Sequence, residues 1–565
     1  MSEWRIRYPS LTRHSLDGMV AGTPGSKGSI KRKNNFQTPA AKSSKPYLTS
    51  SPGESKTQTP EVNVASFAER ANAGQIIESL NAQIAIPDSS SSRPTETRVK
   101  LKANTEISKF SYKSMAMKLS EASEILDDRI DEFTMLIQQE HGFEDSAFGN
   151  PAAQSTSEII AVGRIASDVE GKLNAASLVL ETSRRMGAGL RVPLRLENQS
   201  FDFFPGKIVA LRGNNPSGEF FAVSEVITMP LLHLPASTPS ELEAHMAKVD
   251  GDQAGSSRPL NIIVSSGPYT PDTDLTYSAL HTLLEKAAES AADVVLLNGP
   301  FLDVEHPLIA SGDFELPSDY PVSADRVTLQ DAFRAFISKP LARFAEQNPT
   351  TIVILVPSIR DAVSRHVSWP QDRFPKKELG LPKQVTCVTN PITISINELV
   401  VGISSQDVLF EMQRQTVAQN TNKISDDLLA RLSANLIQQR HFFPIFPPLA
   451  AESLPKPTAT GAIGIHNEPE ERTATGANID ISYLKLGEWL QVRPDLLITP
   501  SVLTPFAKVV ESVVVVNPGT LSKRRGPGTY AQMTIQPRKL KESEQNADVV
   551  GHELYNRARV DVVRI

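Results

Sequence analysis

Cysteine is nearly absent. The single one, Cys387, in a chain of 565 residues excludes a disulfide framework and any cysteine-based zinc site built within the chain. It fits a reducing compartment, cytosol or nucleus. Long apolar runs are missing too. None approaches the roughly 20 residues that a membrane span needs. Val509–Val516, the best candidate, is interrupted by Glu511 and reads as a single Val-rich strand. Met1–Ser10 lacks the apolar stretch of a secretory signal. There is no positive excess: the net charge is −6 and the pI about 6.0, which argues against a dedicated nucleic-acid binder. Aromatic residues make up 6%, diluted by a long polar tail. The length suits about two to four domains.

Residues 1–104 read as a disordered Ser/Thr/Pro-rich regulatory tail without periodicity. Residues 1–60 hold ten Lys/Arg against three Asp/Glu, so the tail is basic while the whole is acidic. Lys31-Arg32-Lys33 reads either as solvated linker or, more sharply, as a nuclear-import signal. Thr23, Thr38, Ser51 and Thr59 each precede proline and are candidate phosphorylation sites, where each phosphate adds nearly two negative charges. Ser66–Ala85 has the makings of one transient helix.

Residues 105–156 are expected to hold an amphipathic helix and a linker. Leu119, Ala122, Leu126, Ile130, Phe133 and Ile137 recur at spacings of three and four, ending before His141-Gly142. Residues 157–230 carry five short strands (Glu158–Ile165, Ala176–Thr182, Arg191–Leu196, Lys207–Arg212, Phe220–Val226) separated by turn residues. Five such strands in about 75 residues suggest a small closed barrel of the OB type. Such a barrel invites single-strand binding through Phe201, Phe203, Phe204, Phe220 and Phe221 with Arg184, Arg185, Arg191, Arg195 and Arg212. The competing reading has the rings in the core and the arginines solvated. Residues 231–258 read as a connector, and 259–565 as an α/β domain.

That domain is organised around Ile352–Asp361, IVILVPSIRD. Asn261–Pro268 and Asp293–Asp303 have the same shape: a buried apolar run ending in a small-residue loop. Three such strands separated by helices describe an open parallel sheet, whose sites form at the strands' carboxyl ends. Further strands are expected at 385–389, 392–396, 399–403, 495–499, 512–516 and 530–535. Helices are expected at Tyr277–Ala291, Thr328–Glu346, Ser404–Arg414 and Asp426–Gln439, and a surface loop at 450–480.

The strand-and-loop order resembles the calcineurin-like metallophosphoesterases. Their successive loops read D-x-H, G-D-x-x-D, G-N-H-D/E, a lone His and G-H-x-H, a set able to hold two metals that activate water. Here the first loop is Ser265–Tyr269, with Ser266 near its start. In the second, Pro300 replaces the bridging Asp, and Asp303 remains. The third, Val356–Asp361, has Ser358, Arg360 and Asp361 in place of the Asn-His pair. Thr499–Leu503 replaces the last motif. These degenerate positions leave no metal site, no cofactor and no catalytic residue. Asp272 and Asp274 read as a loop pair. His306, His366 and His441 are isolated, and no P-loop or G-x-G-x-x-G follows a strand.

A barrel followed by a ligand-stripped phosphoesterase domain is similar to the B subunits of eukaryotic replicative DNA polymerases. The phrases LNGPFLD, ILVPSIRDAVSRHVSWPQ, QRHFFPIFPP, PGKIVALRGNNPSGEFFAVSEV and VVVVNPGTLSKRRGPGTYAQMTI resemble the polymerase α–primase branch over about 157–540. The B subunits of polymerases δ and ε are the alternative, with an OB-fold single-stranded DNA binder and an active phosphoesterase of unusual ligand set as further readings. The fold implied is α/β plus β: an OB-type barrel, then an inactivated calcineurin-like phosphoesterase α/β sandwich, with a disordered N-terminal tail. The resemblance implies a nuclear, non-catalytic scaffold. It would hold the zinc-containing C-terminal domain of the polymerase catalytic subunit and, through it, primase. Such a chain is a monomer within a hetero-oligomer, with indirect DNA contact and no membrane. Expected partner contacts are Phe442, Phe443, Phe446 and Trp369, with the loop 357–369; buried core is the competing reading for the phenylalanines. Family members usually begin with a small helical domain that recruits other replication factors. This chain begins almost at once with linker-like sequence, so that domain's roles are not carried over.

Overall fold

The computed structural model describes residues 67, 70–86, 96–114, 116–168, 172–250, 258–318, 320–321, 326–448, 479–489 and 491–565. The four Ser/Thr-Pro sites, the 31–33 cluster and nearly all of the 450–480 loop lie outside them.

The barrel closes from five strands: Ser155–Ser167, Leu178–Glu181, Arg191–Arg195, Ile208–Asn215 and Phe221–Ile227. The first strand is long enough to pair with both the second and the fourth. A parallel pairing of the third with the fifth completes the ring, the OB strand order. Inward-facing Ile165, Leu180, Val209, Leu211 and Phe221 fill it. The amphipathic helix runs Leu119–His141 and stops where Gly142 turns left-handed, at φ 65°. Its Ile130, Phe133 and Ile137 cover Ile160, Val162 and Ile208 on the barrel's outside. Leu119, expected on the helix's apolar stripe, is 91% exposed, because the buried stripe begins only at Leu126, which packs on the outer side of the six-stranded sheet.

The α/β domain is two sheets face to face with helices outside each. The seven-stranded sheet runs, in spatial order, Ile76–Leu80, Ala558–Arg564, Thr529–Ile535, Leu260–Ser266, Val294–Asn298, Ile352–Val356 and Val385–Cys387. Its last four strands are parallel. The six-stranded sheet runs Phe506–Val510, Val513–Asn517, Leu496–Ile498, Leu399–Ile403, Ile392–Ile396 and Leu101–Ala103. Alternate residues of each strand meet in the shared core: Ile262, Val264, Leu296 and Ile354 from one sheet, Ile394, Val401, Ile498 and Val514 from the other. The opposite faces carry Leu297 and Leu355 beneath the helices Ser278–Glu289 and Lys339–Gln347. On the far side Leu497 and Val515 lie beneath Val408–Gln415 and Leu428–Gln438.

Several expectations are corrected. Ile76–Leu80 is a strand, not part of a helix, and it pairs antiparallel with Ala558–Arg564. Leu101–Ala103 pairs with Ile392–Ile396. Two sheet strands therefore come from the stretch expected to be a disordered tail. Each is short and finds its partner hundreds of residues away, which local composition cannot signal. Val509–Val516 is not one strand but the inner part of a hairpin. Glu511 and Ser512, at φ 49° and 63°, turn the chain as a two-residue hairpin requires. The 231–258 connector contains a strand, Ala236–Ser237, and a helix, Pro239–Asp250.

Barrel and α/β domain are joined by a polar seam. The Gln439 side chain accepts the Ile208 N–H and donates to the Ile208 carbonyl, both at 2.9 Å, as a neighbouring strand would. Lys207 is buried between the Asp202 carbonyl at 2.8 Å and Asn435 Oδ1 at 2.6 Å. Burial pulls its ammonium down to about 8, against the nearby Asp202. The strand Phe201–Phe203 leaves the barrel to pair with Val417–Gln419. Gln439→Ala would orphan the buried Ile208 amide and carbonyl, and a loss of roughly 1–3 kcal/mol is expected in urea unfolding.

Candidate functional site

The three parallel strands Leu260–Ser266, Val294–Asn298 and Ile352–Val356 end in register, Ser266 beside Asn298 and Asn298 beside Val356. Their loops meet in a cleft of about 520 Å³, lined among others by Ser266, Pro268, Pro300, Asp303, Ser358 and Arg360. The loops approach so closely that side chains are excluded. A Cβ on Gly267 would stand 1.9 Å from the Pro300 carbonyl oxygen, and one on Gly299 2.3 Å from Asp361 Oδ2.

Asp361 holds the loops together. Its buried carboxylate accepts the N–H groups of Phe301 at 2.5 Å, Leu302 at 3.2 Å and Ser358 at 2.8 Å. Burial outweighs these donors, with the Asp303 charge acting in the same sense as burial, and pushes the carboxyl up to about 7. Asp303 is gripped in two places by Arg360: Nε to Oδ1 at 3.1 Å, and a shorter contact from Nη2 to Oδ2. The same Nη2 reaches Glu305 Oε2 at 3.1 Å. Burial works against the Arg360 charge, but the flanking carboxylates of Asp303 and Glu305 outweigh it and hold the guanidinium charged.

All six degenerate positions expected from the sequence fall in or directly beneath this cleft. What they can do there is limited by their present partners. Asp303 is spent on Arg360, Asp361 on backbone amides, and Pro300 offers no ligand. His306 caps a short helix, with Nδ1 accepting the Leu308 N–H at 3.2 Å and Nε2 on the Pro271 carbonyl at 2.9 Å. His441 is buried against Leu484 and Phe443, and burial drives its imidazole well below the usual range. Asp274 closes a turn by accepting the Thr276 N–H at 2.9 Å. Among the described residues, no three His, Cys, Asp or Glu side chains converge as a metal would need.

Of the aromatics expected at a partner contact, three lie in the core, as the competing reading has it for the phenylalanines. Trp369, Phe442 and Phe443 are 0–3% exposed and form core beneath the six-stranded sheet. Phe446 is half-buried, with the Arg164 guanidinium 5.1 Å from its ring centre. The expected loop does present one apolar group, Val367, which is 65% exposed.

The other wall of the cleft is not legible in the sequence, because it comes from the second sheet and a distant hairpin: Asp407, Phe410, Glu411, Val502, Lys523 and Arg524. Asp407 caps the helix Val408–Gln415 through the Phe410 N–H and binds the Val502 N–H at 2.8 Å, while burial pushes its carboxyl up. An Asp just before a helical run is its only local signal. A Ser–His–Asp chain is equally hidden. Ser237 Oγ lies 2.9 Å from His552 Nε2, and His552 Nδ1 2.8 Å from Asp495 Oδ2. Asp495 Oδ2 also accepts the Val400 N–H, and Ser237 lies on a strand paired with Val550–Gly551, so the chain ties the connector to the sandwich.

Sequence comparison places this geometry among known proteins. The family described as the B subunit of DNA polymerases alpha and epsilon matches residues 262–508. The family described as the OB domain of the DNA polymerase alpha B subunit matches 123–229. A Schizosaccharomyces pombe protein named as the B subunit of DNA polymerase alpha is 33% identical over 92% of this chain and 84% of its own length. The Saccharomyces cerevisiae protein of that name is 35% identical over 87% of this chain and 72% of its own. The Mus musculus one is 26% identical over 91% and 77%.

Proposed function

Because this chain belongs to the family of DNA polymerase alpha B subunits, we propose that it is a non-catalytic scaffold of the polymerase α–primase assembly. It binds the C-terminal zinc domain of the catalytic subunit and, through that subunit, primase. It works in the nucleus to support RNA–DNA primer synthesis. The zinc is the partner's, consistent with a lone buried Cys387 here.

The observation that carries the reading is Arg360. Its guanidinium lines the cleft and neutralises Asp303 and Glu305, the carboxylates a divalent cation would need. The helix–sheet–sheet–helix layering and the cleft at the strand ends support descent from a phosphoesterase. So does a second loop reading Gly299-Pro300 where that family has Gly-Asp. A pocket freed from chemistry is available as contact surface; Val502, 65% exposed, lines it, and Val367, also 65% exposed, sits on the loop that follows its third strand. The units proposed are a tail ahead of the strand at 76–80, the barrel at 157–230 with its covering helix, and the sandwich from 259 onward together with strands borrowed from 76–80 and 101–103.

Co-expression with the catalytic subunit tests this. A stoichiometric complex is expected, weakened at least tenfold in affinity by Val502→Asp combined with Val367→Asp. Phosphodiester hydrolysis with added manganese is expected to stay at background. A folded chain that fails to bind the catalytic subunit, or manganese-dependent turnover abolished by Asp303→Ala, would sink the reading.

A further inference from the structure

The barrel's cations are largely spent. Arg184 pairs with Asp127, Arg164 and Arg191 with Glu181, and Arg212 with Glu225. Phe201, Phe203, Phe204 and Phe221 are buried and present no face for base stacking.

The opposite holds at the cleft rim. Ser522–Lys523 and Gly526–Pro527 form a two-stranded hairpin whose tip exposes Lys523, Arg524 and Arg525 in succession. Among the described residues none of the three has an ion-pair partner. Asp272 lies close enough to Arg524 for its carboxyl to be influenced, but the contact between the two residues is a backbone one, Asp272 N–H to the Arg524 carbonyl at 2.9 Å. The hairpin is rigidly seated. Leu521 and Ser522 donate to the carbonyls of Ser266 and Pro268 at 2.8 and 3.0 Å. At its base, a Cβ on Gly528 would stand 1.8 Å from the Thr520 carbonyl oxygen. Three adjacent cations on a fixed turn, none of them in an ion pair among the described residues, are preorganised for closely spaced anions, and two of them carry the planar fork that matches phosphate.

We infer that the hairpin Ser522–Pro527 contacts nucleic acid, gripping the backbone phosphates of a single strand through Lys523, Arg524 and Arg525. A single strand fits better than a duplex, because three consecutive cations on one tight turn match the phosphates of a single flexible backbone. The site rests on the polymerase reading only for the origin of the strand, and its test is independent of complex formation.

The probe is a labelled oligothymidylate of about 20 nucleotides, titrated against the full chain at several salt concentrations. Three phosphate contacts at roughly −0.7 each predict a log–log salt slope near −2. Lys523→Gln with Arg524→Gln and Arg525→Gln, all at exposed positions, should lower affinity at least tenfold and flatten the slope towards zero. Arg195→Gln with Arg185→Gln on the barrel should change neither. No measurable binding by the wild-type chain overturns the inference. So does loss of binding in the barrel variant alone. If the hairpin variant binds DNA normally but loses the catalytic subunit, the patch recognises acidic protein and the inference fails, while the scaffold reading stands.

Discussion

Gly299→Ala is expected to destabilise the α/β domain by roughly 3 kcal/mol or more, beyond the usual range for overpacking. The new methyl would stand 2.3 Å from Asp361 Oδ2 and 2.8 Å from the Ser358 nitrogen. Neither atom can retreat. Asp361 is held by three backbone N–H groups, and the Ser358 nitrogen is one of those donors. Gly267→Ala should cost as much, since its methyl would meet the Pro300 carbonyl oxygen at 1.9 Å. The protein supplies its own control. Gly526, on the hairpin at the same cleft, has nothing within 4 Å of the added carbon, and Gly526→Ala should fall within about 0.5 kcal/mol of wild type. Urea unfolding of the three variants checks the set. Equal midpoints would overturn the claim that the two loops leave no room for a methyl group.

Stability should fall as pH rises through the range set by Asp361. Its carboxyl is pushed up to about 7 in the fold, from about 3.9 in the unfolded chain. Between those values the folded state holds a proton that the unfolded state has released, so raising pH favours unfolding. Asp361 therefore costs nothing below about pH 4, and on the order of a few kcal/mol once pH exceeds about 7. Asp407 and Glu488 are shifted in the same direction by burial and add to the trend. Asp361→Asn isolates the one group. The variant loses an acceptor for a buried N–H and should be about 1–3 kcal/mol less stable near pH 4. The deficit should then shrink or reverse by pH 8, because asparagine never ionises. A constant gap across that range would show that Asp361 stays charged throughout.

The parallel strands and the cleft are legible because each strand is a continuous apolar run closed by a small-residue loop, a pattern written within ten residues. The barrel is legible for the same reason, with turns at regular spacing. What cannot be read is pairing at a distance. Ile76–Leu80 has an ordinary polar neighbourhood, and only Ala558–Arg564 makes it a strand. Phe442, Phe443 and Trp369 stand among prolines and histidines, which suggests surface. They are buried because the six-stranded sheet needs a cover on its outer face. At the site, the missing ligands can be read position by position. That carboxylates left without imidazoles cap or pair with an arginine can be read too; that Arg360, 57 positions on, is the one that takes Asp303 cannot.

The pairing of Ile76–Leu80 with Ala558–Arg564 has a consequence for biosynthesis. Ser79 and Asp561 hydrogen-bond across 482 positions. At roughly 5–20 residues per second, translation leaves the early strand waiting on the order of half a minute or more for its mate. For most of that wait Leu260–Ser266 also lacks its antiparallel neighbour Thr529–Ile535, and an open apolar sheet edge faces the cytosol. The nascent chain is thus a natural client for chaperones, and ribosome stalling between the first sandwich strands and residue 558 should yield an aggregation-prone fragment with an unfinished sheet.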